Sequence, residues 1–66
     1  MELSPKEILK KKILDAQGMV KDYEVYSKKF KDVEISDLFK EFAEESGYQA
    51  SRLQNLLKRL NDDRNL

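Results

Sequence analysis

Two apolar repeats with helical spacing dominate this chain and limit what it can fold into. In the first half, residues recur at alternating steps of four and three, which is the spacing of one face of an α-helix. This row is apolar except at one serine: Leu9, Ile13, Ala16, Val20, Tyr23, Ser27 and Phe30. The second half repeats the spacing through Ile35, Phe39, Phe42, Ser46, Gln49, Leu53, Leu56 and Leu60. Because strand and hairpin-turn signals are nearly absent, the pattern predicts an all-α fold of two long helices.

Capping signals mark where each helix begins. Ser4-Pro5-Lys6-Glu7 has the pattern of a capping box with proline at the first helical position, which predicts a first helix from Pro5 to about Phe30. Asp32 is a good N-cap and Glu34 suits the positive end of the helix dipole, so a second helix is predicted over about 33–61. Residues 1–66 are therefore predicted to form a single helical hairpin with a turn at about 31–32.

The two predicted helices have apolar faces wider than one seam requires. A short turn forces the helices to lie antiparallel, so residue i is expected to face approximately residue 63 − i. Met19 and Tyr26 lie beside the main row of the first helix, and Ala43, Ala50 and Leu57 lie beside that of the second. A single seam would leave this second row exposed, whereas a broad face is typical of a helix with two neighbours.

We therefore predict a homodimer in which two hairpins form a four-helix bundle. Self-association is a common route to stability for a small domain without disulfides or metal. The residues expected at the core and dimer interface are Met19, Tyr23, Tyr26, Phe39, Phe42, Ala43, Ala50, Leu53 and Leu57.

The composition excludes several classes of function. The 66 residues include no histidine or cysteine, so the chain cannot form a disulfide or supply a Ser-His-Asp or Cys-His catalytic set by itself. Its 13 basic residues balance 13 acidic ones, whereas proteins that bind nucleic acids or anionic membranes are normally basic. No apolar run approaches the roughly 20 residues of a transmembrane helix, and the start lacks a signal-peptide pattern. We expect a cytoplasmic, non-enzymatic protein without cofactor, nucleic acid or membrane partners.

Three polar residues fall where the pattern calls for core positions. Ser46 and Gln49 lie on the main row of the second helix, and Gln17 lies near the facing position on the first. Such a layer is typical of a hydrogen-bonded set that fixes register and oligomeric state. The alternative is a ligand site, or the remnant of one.

The segment from Asp32 to Leu53 resembles the second helix of a ferritin-like, rubrerythrin-type hairpin. In that family an apolar pattern ending in Ala-Glu-Glu, here Ala43-Glu44-Glu45, leads to Glu-x-x-His followed by Ala and Leu. The Glu and His bind a di-iron centre. On this alignment they fall on Ser46 and Gln49, so the resemblance implies a ferritin-like fold with degenerate ligand slots and no metal site. It covers about a third of the chain closely and two-thirds loosely.

Other interpretations remain open at this point. A shifted register would use Glu45 and Tyr48 as the metal slots, but both lie off the main row. The chain also resembles, more weakly, spore coat protein F type segments, which implies a structural role. The preferred function is a self-associating module. The alternatives are a ferritin-like metal or redox protein with an altered site, or a small regulator that docks on a partner protein's helices.

Two glycines lie within the predicted helices. Gly18 and Gly47 fall near the same level of the hairpin and, with Ala16, Ala43 and Ala50, would form a waist of small residues. A waist of this kind permits close helix approach or makes room for a bulky side chain from a second copy. The alternative is a small pocket at the polar layer.

Overall fold

Two long helices joined by a short connection account for the fold. A computed structural model describes residues 2–63, in which α1 spans Pro5–Ser27 and α2 spans Val33–Asp63. The two helices pack against each other, and the described residues include no strand. The all-α hairpin predicted from the repeats is confirmed. Its dimensions of 52 × 25 × 11 Å are those of one layer of two helices, about as thick as a single helix with its side chains.

Both helices begin where the capping signals place them. The Ser4 hydroxyl accepts a hydrogen bond from the Glu7 amide at 3.2 Å, and the Glu7 carboxylate accepts one from the Ser4 amide at 3.3 Å. At the start of α2, the Asp32 carboxylate accepts from the amides of Glu34 at 2.9 Å and Ile35 at 3.4 Å. These bonds satisfy amides that have no partner within their own helix.

The end of α1 differs from the prediction. The helix ends at Ser27 rather than at about Phe30, so the connection spans 28–32. The Ser27 hydroxyl donates to the Glu24 carbonyl at 2.8 Å, and the Ser36 hydroxyl of α2 donates to the Ser27 carbonyl at 2.8 Å. A side chain from the second helix thus satisfies a carbonyl that would otherwise continue the first helix, and the chain turns there.

The seam between the helices is lined by small residues. Ala16 of α1 and Ala43 and Ala50 of α2 are buried, as is Ile13. Around them lie half-buried larger residues, which are Leu9, Val20, Tyr23, Phe39, Phe42, Leu53, Leu57 and Leu60. No large side chain among the described residues is fully buried, because a single layer of two helices leaves every side chain near solvent.

The predicted division of α2 into a main row and a flanking row is wrong at several positions. Ala43 and Ala50, expected to be left exposed by a single seam, are only 5% and 6% exposed because α1 covers them. Leu57 is half-buried, whereas Gln49 and Leu56 of the predicted main row are exposed. The face of α2 that meets α1 is therefore rotated toward the alanines, whose small side chains permit close approach of the helices.

The antiparallel register is close to the predicted one. Near the turn, Ser36 bonds Ser27, a pair whose numbers add to 63 as expected. At mid-length, a Cβ added at Gly47 would lie 3.7 Å from Cγ2 of Val20, and these numbers add to 67. The two sums differ by four residues, about one helical turn, which is within the reach of side chains on facing helices.

Candidate interaction face

One side of the hairpin carries apolar side chains that neither helix covers. Two adjacent shallow depressions lie there, between α1 and α2. We call this side the open face and define it by the residues that line the two depressions and remain at least partly exposed: Lys12, Asp15, Met19, Tyr23, Phe42, Glu45, Gln49, Arg52, Leu53 and Leu56.

The centre of the open face is apolar above a floor of small residues. Met19 and Gln49 line both depressions, with Ala16 on the floor of one and Ser46 on the floor of the other. Ala16 and Ser46 are each 8% exposed, whereas Met19 is 44% exposed. A flexible thioether standing over a small-residue floor is well suited to fit against another apolar surface.

An aromatic cluster extends the open face toward the turn. The Tyr23 ring lies 5.5 Å from Phe39 and 5.4 Å from Phe42, measured between ring centroids. Phe30 from the connecting turn packs on Phe39 at 4.9 Å. Edge-on and tilted contacts of this kind are favourable beyond the area they bury. The cluster holds the turn against both helices, and Tyr26 beside it remains 51% exposed.

The other side of the hairpin carries charged residues beside its apolar ones. The depression found there is lined by Val20, Glu24, Lys40, Ala43 and Glu44. Some large apolar residues elsewhere on the hairpin are also exposed, such as Leu14 at 69% and Tyr48 at 65%. Scattered exposed apolar residues are normal on protein surfaces. The open face differs from them because its residues line two depressions that share Met19 and Gln49.

Charges of both signs border the open face. Lys12 and Asp15 form an ion pair of 3.7 Å, which is the only one in the part of the chain that the structure describes. On α2, Glu45 lines one depression and Arg52 the other, seven residues apart and therefore about 10 Å along the helix axis. The Arg52 guanidinium carbon lies 5.6 Å from the centroid of the Tyr48 ring.

The structure does not bring the three predicted polar residues together. Ser46 is buried and Gln49 lies on the open face, while Gln17 is exposed and lines neither depression. Within one chain, Gln17 does not line the depression that holds Ser46, and α1 places the buried Ala16 in the seam. The two slots assigned by the ferritin-like alignment, Ser46 and Gln49, lie on adjoining turns of α2 and line the same depression.

Two further searches of the described residues found no site. Nowhere in residues 2–63 do three acidic side chains come together in a way that could hold a metal ion. Neither described helix combines the length and apolar character needed to cross a membrane.

Comparisons with known proteins add no relatives. No family model, curated protein or solved structure is significantly similar to this chain.

The predicted interface residues do not all lie on one surface of the structure. Met19, Tyr23, Phe42 and Leu53 line the open face, whereas Ala43 and Ala50 belong to the buried seam. Phe39 and Leu57 are half-buried, and Tyr26 is exposed near the turn. Sequence reasoning did not single out Leu56, Glu45 and Arg52 as interface residues. The available signal was the pair of opposite charges seven residues apart beside an apolar row.

Proposed function

We propose that this chain is a non-enzymatic module that self-associates through the open face, so that two hairpins form a four-helix bundle. The observation that carries the proposal is the exposure of Met19 and Leu56 beside half-buried apolar neighbours on one side of a single-layer fold. A second hairpin placed on that side would supply the second neighbour that each helix lacks. The apolar band would then become the core of a two-layer structure.

The accessible surface of the chain supports the same proposal. It amounts to 5665 Å², whereas a compact monomer of 7.8 kDa exposes about 4,400 Å² on the usual scaling with mass. The excess of roughly 1,300 Å² exceeds the roughly 800 Å² that each partner buries in an interface of standard size. One hairpin therefore has enough extra surface to form a stable dimer.

The proposed bundle is of ferritin-like appearance, is located in the cytoplasm and carries no metal site. The resemblance of the segment from Asp32 to Leu53 supports this architecture. At the slots where that family has a carboxylate and an imidazole, this chain has the hydroxyl of Ser46 and the amide of Gln49, which are poor ligands for iron. The role of the module is thus proposed to come from its assembly.

Sedimentation equilibrium of the intact chain tests the proposal, with two lysine variants of α1 as a matched pair. Met19→Lys places a charge at the centre of the open face, and Leu14→Lys places the same charge on an exposed position outside it. Burying a methionine fully contributes about 1.5–3 kcal/mol, so the 44% exposed fraction of Met19 corresponds to about 1 kcal/mol per copy. Because the dimer contains two copies of Met19, the expected loss of association free energy is about 2 kcal/mol. This loss corresponds to roughly a 30-fold increase in the dissociation constant.

The expected result is a wild-type dimer at micromolar concentration, weakened by Met19→Lys and unchanged by Leu14→Lys. A folded wild-type monomer at concentrations up to 100-fold higher would refute self-association and favour docking on a different protein. Equal weakening by both lysine variants would show that the open face is not the contact surface. Circular dichroism on each variant confirms that the helices are retained.

A further inference from the structure

We propose that the second copy binds with its turn at the opposite end of the bundle, so that α1 packs on α1 and α2 on α2 about a twofold axis beside Gln49. This arrangement rests on the proposed self-association and adds its geometry. The partner is a second copy of this chain, and the choice between arrangements is made by the charges along the open face.

Two twofold arrangements allow hairpins to stack face to face with every neighbouring helix antiparallel. If the turns lie at opposite ends, each helix packs against its own equivalent. If the turns lie at the same end, α1 of one copy packs against α2 of the other, and each residue meets the partner residues at its own level. The two arrangements bury the same open face and differ in which charges meet.

Full overlap of two hairpins fixes the level of the axis when the turns are at opposite ends. The middle residue of α2, Val33–Asp63, is Tyr48. On the open face, Gln49 is the nearest residue to this level, so it would meet Gln49 of the second copy. The midpoint between Glu45 and Arg52 falls between Tyr48 and Gln49, so each of these charges would meet its opposite in the partner.

With the turns at opposite ends, the α2 contact is complementary along its length. Glu45 of one copy faces Arg52 of the other, and the symmetry forms this pair twice. Gln49 also lies midway between Phe42 and Leu56. Phe42 of one copy would therefore meet Leu56 of the other on each side of the axis. Over the whole of α2, five carboxylates and one lysine precede Gln49, while three basic residues and two aspartates follow it, so the net charge changes from negative to positive at the proposed axis.

With the turns at the same end, the same charges are poorly matched. Glu45 of one copy would lie at the level of Met19 and Tyr23 of the other, and this part of the open face has no cation. The charged residues of α1 between Met19 and Tyr23 are Lys21 and Asp22, and neither lines the open face. Arg52 would meet Lys12 as well as Asp15, which already pair with each other. Charge complementarity along α2 therefore favours the arrangement with opposite ends.

Charge reversal on α2 distinguishes the two arrangements. Glu45→Arg and Arg52→Glu should each raise the dissociation constant roughly tenfold, because each removes two ion pairs and brings like charges together. The double variant should return the constant to near the wild-type value. Glu44→Arg, one residue along the chain and on the other side of the hairpin, is the control and should leave the constant unchanged. If Glu45→Arg instead tightens the dimer and the double variant is not restored, the turns lie at the same end and the proposed arrangement is wrong.

Cysteine cross-linking gives an independent measurement, since the natural chain has no cysteine. With the turns at opposite ends, Gln49→Cys should form a disulfide-linked dimer under mild oxidation, because the two copies meet beside the axis within disulfide reach. The exposed Ser51→Cys, on another side of α2, should remain monomeric on a non-reducing gel. A wild-type dimer in which Gln49→Cys does not cross-link above Ser51→Cys overturns the arrangement and leaves self-association intact. A wild-type monomer in sedimentation overturns both.

Discussion

Alanine at the two helical glycines tests whether the hairpin depends on small residues at its middle. A Cβ added at Gly18 would meet no atom within 4 Å outside its own helix backbone. One added at Gly47 would meet only Cγ2 of Val20, at 3.7 Å, which is an ordinary van der Waals contact. The close helix approach proposed for both glycines from the sequence is thus absent at Gly18, while at Gly47 the gap is wide enough for a methyl group.

The size of the effect follows from the helix backbone. Alanine is favoured over glycine inside a helix by about 0.8–1 kcal/mol, because glycine loses more conformational freedom on folding. Gly18→Ala should therefore stabilise the folded chain by about this amount. Gly47→Ala should stabilise it by at least as much, because the new methyl group also contacts Val20. For a domain of this size, each kcal/mol raises the melting temperature by about 4–8 °C.

Urea unfolding followed by helical circular dichroism measures these differences. All samples need the same protein concentration, because the stability of an associating protein depends on it. The double variant should add the two effects, since the positions have no shared contact. Destabilisation by Gly47→Ala would refute the reasoning. It would show that a side chain or backbone from elsewhere occupies the space beside Val20, as the predicted small-residue waist requires.

The turn and the second cap give two further predictions. Ser36→Ala should destabilise the fold by about 1–2 kcal/mol in urea unfolding. The substitution removes the hydroxyl that donates a hydrogen bond to the backbone carbonyl of the buried Ser27. Ser51→Ala, at an exposed position of the same helix, should not destabilise, and equal losses at both serines would contradict the role of the bond. Asp32→Ala should cost about 1 kcal/mol and Asp32→Asn much less, since asparagine also caps helices well. A loss as large for asparagine as for alanine, in the same measurement, would argue against capping.

The starts of the helices were predictable because their causes are local. The capping box at Ser4 and the cap at Asp32 use atoms within three residues, so a short sequence pattern contains the whole interaction. The end of α1 was not predictable in this way. It depends on a bond from Ser36 to Ser27, nine residues apart, which exists only after the helices have packed.

The orientation of α2 illustrates a second limit of the sequence. Steps of four and three identify a helical face, but a wide face contains two parallel rows, and spacing alone does not say which row meets which neighbour. Size decides it here, because alanines at 43 and 50 allow α1 to approach closely, while the larger Phe42 and Leu56 are left at the side. The predicted main row is therefore divided: Phe42, Gln49 and Leu56 border the open face, while Ser46 stays buried in the seam with Ala43 and Ala50.

The same rotation changes how the predicted polar layer would be built. Ser46 is covered by α1 of its own chain, whereas Gln49 lies on the open face and has no cover from the hairpin. In a four-helix bundle, the interior sector of each helix lies between its two neighbours, so both residues would face the interior once a second copy is added.

On the proposed axis, the polar layer would then consist of Ser46 from each hairpin and, between them, two Gln49 amides that meet across the twofold axis. A side-chain amide can both donate and accept hydrogen bonds, so Gln49 can form a hydrogen bond with Gln49 of the second copy. A shift of one copy along the other would break this bond and destabilise the dimer. The layer would thus act on register between copies, and Gln17, on the outer side of α1, would take no part in it.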